Sequence, residues 1–168
     1  MPTWLTVIVI LAVLVGLGSL MGRAETKKSD SRRDAFGGED DVAYAVCDVL
    51  MHAARSAGSG GEKLLPEIRA AAERILNDPV DDSRLAAAFA LVIKDADMMD
   101  VGPQVAPIPD ALRDTVAVEA AAIYALRRRF NPDDTEAAIY LRRMMTALKL
   151  DHARARAILI EAAAKRQG

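Results

Sequence analysis

Hydrophobic positions divide the chain into one continuous apolar run and a longer part with periodic apolar residues. Trp4 to Met21 is a run of 18 uncharged, mostly apolar residues. From residue 42 onward, apolar side chains recur every three to four positions, which places them on one face of an α-helix. We therefore expect an all-α protein, with one N-terminal transmembrane helix and a compact bundle of about six helices.

Capping residues and prolines set the predicted limits of the six soluble helices. An Asp, Asn or Ser before a helix caps its free N–H groups, and proline is tolerated in the first turn. On these criteria the helices start near Asp40–Asp41, Lys63, Asp81–Asp82, Asp110, Asn131–Pro132 and Asp151. The prolines at 103, 107 and 109 predict an irregular loop before the fourth helix.

The apolar run at the start is long enough to cross a membrane. As a helix it would span about 27 Å, close to the hydrocarbon thickness of about 30 Å. No charged side chain precedes it, so an uncleaved anchor at 1–22 is favoured over a cleaved signal peptide. The basic residues follow it, and they are Arg23, Lys27, Lys28, Arg32 and Arg33. The positive-inside rule then predicts an inner-membrane protein with its N-terminus outside and its C-terminal domain in the cytoplasm.

Residues 23–41 are predicted to form a charged flexible linker to a domain at 42–168. Phe36 is their one large apolar side chain, so the stretch buries too little surface to order itself. Its first part, 23–33, has five basic and two acidic residues. We expect those five basic side chains to lie on the membrane surface, against anionic head groups, although a plain stop-transfer flank is the simpler interpretation.

Composition excludes several classes of protein. One Cys and two His exclude a disulfide scaffold and a zinc site of the usual ligand types. A net charge of −2 and an aromatic content of 4% argue against nucleic-acid binding. Neither His52 nor His152 has a nearby Ser or Cys partner pattern, so no catalytic triad is predicted. We expect no enzyme activity and no cofactor.

Glu119 is the most informative single residue of the sequence. It falls near the middle of an apolar helix face that Val116 and Ile123 share. A carboxylate inside an apolar region needs a partner, because an unpaired buried charge is costly. We predict a buried carboxylate with an arginine from another helix, as a structural ion pair; a binding or proton-active carboxylate is the alternative.

Two other charged groups are candidates for binding. Asp95, Asp97 and Asp100 form an acidic cluster that could supply oxygen ligands to a metal, although the full calcium-loop signature is missing and a solvated helix end is the simpler interpretation. Residues 127–168 have ten basic and five acidic residues, whereas 78–119 have three and nine. The two regions could attract each other, or the basic one could touch anionic lipid.

Parts of this layout resemble the tellurite-resistance TerB-like helical domain. The similar segments are 53–58, an Ala-rich helix end without the family's Asp; 92–100, without its Gly; and 125–150, with Glu136 at the acidic helix start. The domain is also similar to the helical module between the anchor and the J domain of some membrane-anchored co-chaperones, but it has no His-Pro-Asp. The resemblance implies an all-helical bundle and a metal-linked acidic site.

These observations favour a single-pass, membrane-anchored helical interaction module, a scaffold or accessory subunit of a membrane complex. The expected partners are the membrane and a protein in or at it. Small residues at Ala12, Gly16, Gly18 and Gly22 permit close helix contact, which leaves homo-oligomers open. The alternative is a metal-responsive envelope-stress module, which the TerB-like resemblance implies.

Overall fold

A computed structural model describes residues 30–37, 40–55, 61–94, 101–128 and 135–165, and every regular element in these ranges is helical. The prediction of an all-α bundle is confirmed for this part of the chain. None of the helices described is long and apolar enough to span a membrane. The predicted anchor, 1–22, lies outside the described residues.

Eight α-helices and one short 3-10 helix make up the described ranges. The first, α1, includes residues 30–36. The others are α2 (Asp41–Ala54), the 3-10 helix (Gly61–Leu64), α3 (Leu65–Leu76), α4 (Asp82–Lys94), α5 (Gly102–Val105), α6 (Asp110–Arg127), α7 (Thr135–Ala147) and α8 (His152–Lys165).

Aspartate side chains cap several helices where the sequence predicts a start. Asp40 Oδ1 accepts the N–H groups of Val42 and Ala43 at 2.8 and 3.0 Å. Asp81 caps α4 in the same way, and Asp151 Oδ1 accepts the Arg154 N–H at 2.7 Å at the start of α8. Each carboxylate satisfies donors that have no partner within the helix.

The helix α2 lies at the centre of the bundle. It packs against α3, α4, α5, α6 and α7, while α8 packs on α6. Its residues from Tyr44 to Ala54 are all buried. On α6, Ala117, Ala120 and Ala121 are fully buried, and their small side chains allow neighbouring helices to approach closely. Because this part of α2 has no solvent-facing side, any polar side chain on it lies inside the protein.

Two helices lie where the sequence predicts irregular chain. Residues 30–36, within the predicted flexible linker, form α1, whose Phe36 ring lies 6.0 Å from the Tyr44 ring. The predicted proline loop contains α5, with Pro103 in its first turn and Val105 buried. In both cases contacts with the bundle, rather than a local apolar stripe, stabilise the helix.

Candidate functional site

A pair of ionisable side chains lies inside the bundle on α2. Asp48 and His52 are four residues apart, one helical turn, and their side chains are 2% and 1% exposed. Polar groups this deeply buried require partners, because water is excluded from them. Their partners come from three other helices.

Arg32, Gln104 and Tyr140 complete what we call the buried polar network. Arg32 of α1 places its Nε 3.3 Å from Asp48 Oδ1. Gln104 of α5 donates from Nε2 to Asp48 Oδ2 at 2.8 Å. Tyr140 of α7 donates its hydroxyl to Gln104 Oε1 at 2.9 Å. The network therefore joins α1, α2, α5 and α7.

The His52 ring is held on two sides. Its Nδ1 lies 2.7 Å from the Asp48 carbonyl oxygen and 3.0 Å from Gln104 Nε2. A proton on Nδ1 is donated to the carbonyl, whereas a lone pair there accepts from Gln104, so the tautomer decides which bond forms. The ring also stacks on Tyr140, with centroids 5.5 Å apart. Its other nitrogen, Nε2, is buried and has no hydrogen-bond partner among the described residues.

Within the network, the Asp48 carboxyl is ionised and the Tyr140 hydroxyl is neutral, and both states follow from their surroundings. Burial alone would raise the pKa of Asp48, but His52, Arg32 and the Gln104 amide together hold that pKa below its usual value. Burial, and then the negative charge of Asp48, raise the pKa of Tyr140 well above its usual value. At neutral pH the carboxylate and guanidinium form an ion pair, with the phenol as a neutral donor.

Cys47 adjoins the network but is not activated by it. Burial, followed by the charge of Asp48, raises the pKa of its thiol to about 12. The thiolate is the nucleophilic form, so this cysteine is unreactive at neutral pH. The buried polar network is therefore suited to holding helices together rather than to nucleophilic chemistry.

Glu119 lies at the edge of the core, where 21% of its side chain is exposed. The predicted arginine from another helix is Arg74 of α3. Its Nε and Nη2 donate to the two Glu119 carboxylate oxygens at 3.2 and 2.8 Å. Since 59% of the Arg74 side chain is exposed, this is a surface ion pair rather than a charge in an apolar interior.

The predicted membrane-surface residues have different positions. Arg32 does not lie on the surface as predicted, because it is 6% exposed and its charge pairs with Asp48 inside the bundle. Arg33 is half-exposed and pairs with Asp41 at the start of α2. The remaining three, Arg23, Lys27 and Lys28, lie outside the described residues.

The predicted metal cluster of Asp95, Asp97 and Asp100 also lies outside the described residues. In the ranges that the structure describes, no group of three or more His, Cys, Asp or Glu side chains is arranged to hold a metal ion.

A surface cleft of about 310 Å³ opens between the end of α1 and the α3–α4 turn, lined among others by Phe36, Gly37, Leu76, Val80 and Arg84. Gly37 has φ +109°, and a Cβ there would lie 2.7 Å from Arg84 Nη1. This backbone conformation, which side chains rarely adopt, favours glycine.

Sequence reasoning missed the buried polar network, although one signal for it was present. Asp48 and His52 interrupt an otherwise apolar segment of α2 at helical spacing, so both had to lie inside or at an interface. Gln104 and Arg32 carried no such signal, because both lie in stretches rich in loop-forming or charged residues.

Comparison with known proteins adds no relative from which a role could be transferred. No protein-family model, no curated protein and no solved structure matches the chain. The resemblance to TerB-like domains therefore stays a prediction.

Proposed function

We propose that the protein is a single-pass, membrane-anchored helical interaction module that acts as a scaffold or accessory subunit of a membrane complex. The observation that supports this most is the attachment of α1 to the bundle through Arg32 and Asp48. The helix α1 is the segment through which the chain arrives from the predicted anchor.

The distance between the predicted anchor and α1 is short. At most seven residues, 23–29, separate them, and these can extend over at most about 25 Å. The bundle is thereby kept beside the bilayer, and the fixing of α1 limits which of its faces can turn toward a partner in the membrane. A long flexible linker would leave every face available and would not favour one contact.

The chemistry of the buried polar network supports binding rather than catalysis. Asp48 stays ionised and paired, Tyr140 stays protonated, and Cys47 stays a thiol at neutral pH. The alternative, a metal-responsive module, depends on Asp95, Asp97 and Asp100, which lie outside the described residues.

Crosslinking in native membranes, followed by pull-down of the full chain, tests the proposal. We expect the protein to stay in the membrane fraction after an alkaline wash and to crosslink to a membrane protein. Asp48→Asn should weaken that crosslink, since it weakens the attachment of α1 to the bundle, whereas the matched surface variant Asp114→Asn should keep it.

Several outcomes would contradict the proposal. They are release of the protein by the alkaline wash, the absence of any reproducible crosslink, or turnover of a small molecule by the purified chain. Equal crosslinking of Asp48→Asn and the parent would show that a fixed α1 is unnecessary.

A further inference from the structure

We propose that the outward face of α8 is the surface through which two copies of this chain associate, with their α8 helices side by side and parallel. We call this region the α8 outer face. It comprises a strip of Ala153, Ala157, Ile160 and Ala164, with Arg156 and Glu161 at its two edges. The inference uses residues that the structure describes, and it holds with or without the proposed anchor.

The helix α8 has an apolar face on each of two opposite sides. Ile158 and Ala162 are buried on the side toward the bundle, where α8 packs on α6. A helix on the surface of a protein normally carries polar side chains on its other side. The other side of α8 carries Ile160, which at 61% is the most exposed large hydrophobic side chain in the described ranges. A second apolar face on one helix indicates a second contact.

The apolar residues of the α8 outer face have the spacing of a contact between two helices. Ala153, Ala157, Ile160 and Ala164 are separated by four, three and four residues, and all four are exposed. At 100° per residue they fall within about 60° of one another. That is the narrow seam of a coiled coil rather than the wider stripe of a helix that faces a protein core. The alanines on either side of Ile160 allow a second helix to approach closely.

The two edges of the α8 outer face carry opposite charges. Arg156 and Glu161 lie on opposite sides of the strip, five residues apart, and both are exposed. In a parallel pair of helices, a residue at one edge lies beside the residue five positions later in the other helix, and ion pairs form there. Association of two copies therefore places Arg156 of each chain beside Glu161 of the other, so that the ion pair occurs twice.

A third charge, Arg154, decides the direction of the two helices. It makes two 2.6 Å hydrogen bonds to the Asp114 carboxylate of α6. An antiparallel pair would place Arg154 beside Glu161 of the other copy, in competition with Asp114. Arg154 already attracts Glu161 of its own chain, but a carboxylate accepts several donors, so Arg156 of a second copy can bind there as well. The parallel arrangement leaves the bond to Asp114 intact.

A second copy fits this face better than lipid does. The strip has one large apolar side chain and its edges carry one base and one acid, so it offers little to a membrane surface that attracts clustered positive charge. A two-fold dimer instead requires a patch that is complementary to itself, which the exchanged Arg156–Glu161 pairs provide. The strip covers about three helical turns, so we expect an interface below the standard size and a dimer that dissociates on dilution.

Disulfide crosslinking of the full chain in mild detergent tests the contact. One new cysteine replaces Ile160 or Ala157 or, as a control, Ile139, which is the 49% exposed isoleucine of α7. Cys47 is buried, with its thiol pKa raised to about 12, so it does not compete. With diamide as oxidant, Ile160→Cys and Ala157→Cys should form linked dimers at least about fivefold faster than Ile139→Cys, because facing positions of the seam lie within reach of a disulfide.

Exchange of the edge charges supplies the matched comparison, measured as the dissociation constant of the dimer by sedimentation equilibrium. Arg156→Glu places two acids beside each other and should raise that constant at least about threefold. Adding Glu161→Arg to the same chain should restore it. Arg142→Glu, the same change at an exposed arginine of α7, should leave it unchanged. Ile160→Lys should leave only monomer, while circular dichroism shows that the bundle stays folded.

Several results would overturn the inference. Equal linking rates at all three cysteines would mean that the chains meet by random collision, and a dimer that survives Ile160→Lys would place the association elsewhere. Faster linking of Ala153→Cys to Ala164→Cys in mixed chains than of Ile160→Cys to itself would overturn the parallel order. A crosslink from position 160 to a different protein alone would overturn the second copy. None of these results touches the proposed anchor, which retention in the membrane fraction tests separately.

Discussion

The buried polar network and the surface ion pairs of the bundle have similar atoms and distances but different surroundings. Arg32 lies 3.3 Å from Asp48 with side-chain exposures of 7% and 2%. Arg154 lies 2.6 Å from Asp114 with exposures of 40% and 50%. Water can replace a lost partner at Arg154–Asp114 but not at Arg32–Asp48. Burial rather than distance therefore decides how much each pair contributes to stability.

The two kinds of pair also differ in what they connect. Arg154–Asp114 and Arg74–Glu119 each link two helices that also pack through apolar side chains. The buried polar network joins four helices, and it includes two, α1 and α5, that the sequence does not predict. Loss of the network should therefore destabilise those two helices locally and also lower the free energy of unfolding of the whole bundle.

Removing the buried carboxylate should have the largest effect. Asp48→Ala removes the buried carboxylate that pairs with Arg32 in a dry interior, and we expect the free energy of unfolding to fall by about 3–5 kcal/mol. Asp114→Ala, the control, should cost less than about 1 kcal/mol. Denaturant unfolding of the full chain in mild detergent, followed by circular dichroism, measures both. Equal effects of the two variants would contradict the comparison.

Removing the bridging amide should have an intermediate effect. Gln104→Ala deprives Asp48 Oδ2 and the Tyr140 hydroxyl of a partner, and we expect a loss of about 1–3 kcal/mol. Ala106, an exposed residue two positions after Gln104, offers a control, because Ala106→Ser removes no contact of the network. The same unfolding measurement applies, and a Gln104→Ala variant as stable as the parent would show that α5 does not support the network.

The effect of pH distinguishes the two kinds of carboxylate further. The pKa of Asp48 is lowered in the folded protein, so the folded state binds fewer protons there than the unfolded state. Its stabilising contribution is full above the unfolded pKa, about 3.9, and is lost as pH falls through the folded pKa. The difference in unfolding free energy between the parent and Asp48→Asn should therefore shrink as pH falls below about 4. A difference that stays constant at low pH would contradict the lowered pKa.

The smallest effect is expected at Arg74 and Glu119. A double-mutant cycle with Arg74→Ala and Glu119→Ala should give a coupling of about 0.2–1 kcal/mol, because the arginine is mostly exposed. Added salt should reduce that coupling. A coupling as large as the Asp48 effect would place Glu119 among the groups that hold the core together.

The helices that carry their own caps and apolar stripes could be predicted from sequence. Asp40 and Asp81 cap α2 and α4, and Leu85, Phe89 and Val92 form the buried stripe of α4. Such signals are local, since cap and stripe lie within a few residues of each other. The all-α class could be predicted because several helices have such local signals.

The helices α1 and α5 could not be predicted in this way, because distant residues stabilise them. Residues 30–36 contain one large apolar side chain, and Arg32 becomes a buried residue only because Asp48 lies opposite it. Gln104 lies in a stretch whose prolines indicate a loop, and its partners are 36 or more residues away in sequence. Glu119 was visible as a carboxylate on an apolar face, yet its position at the edge of the core depends on where α3 packs.

Amide hydrogen exchange of residues 30–36 tests most directly whether the buried polar network fastens α1 to the bundle. In the parent chain these amides should be protected, and Asp48→Asn should remove their protection while α8 keeps its own. Asp114→Asn should leave both helices unchanged. Protection of residues 30–36 that is equal in the parent and in Asp48→Asn would contradict the account.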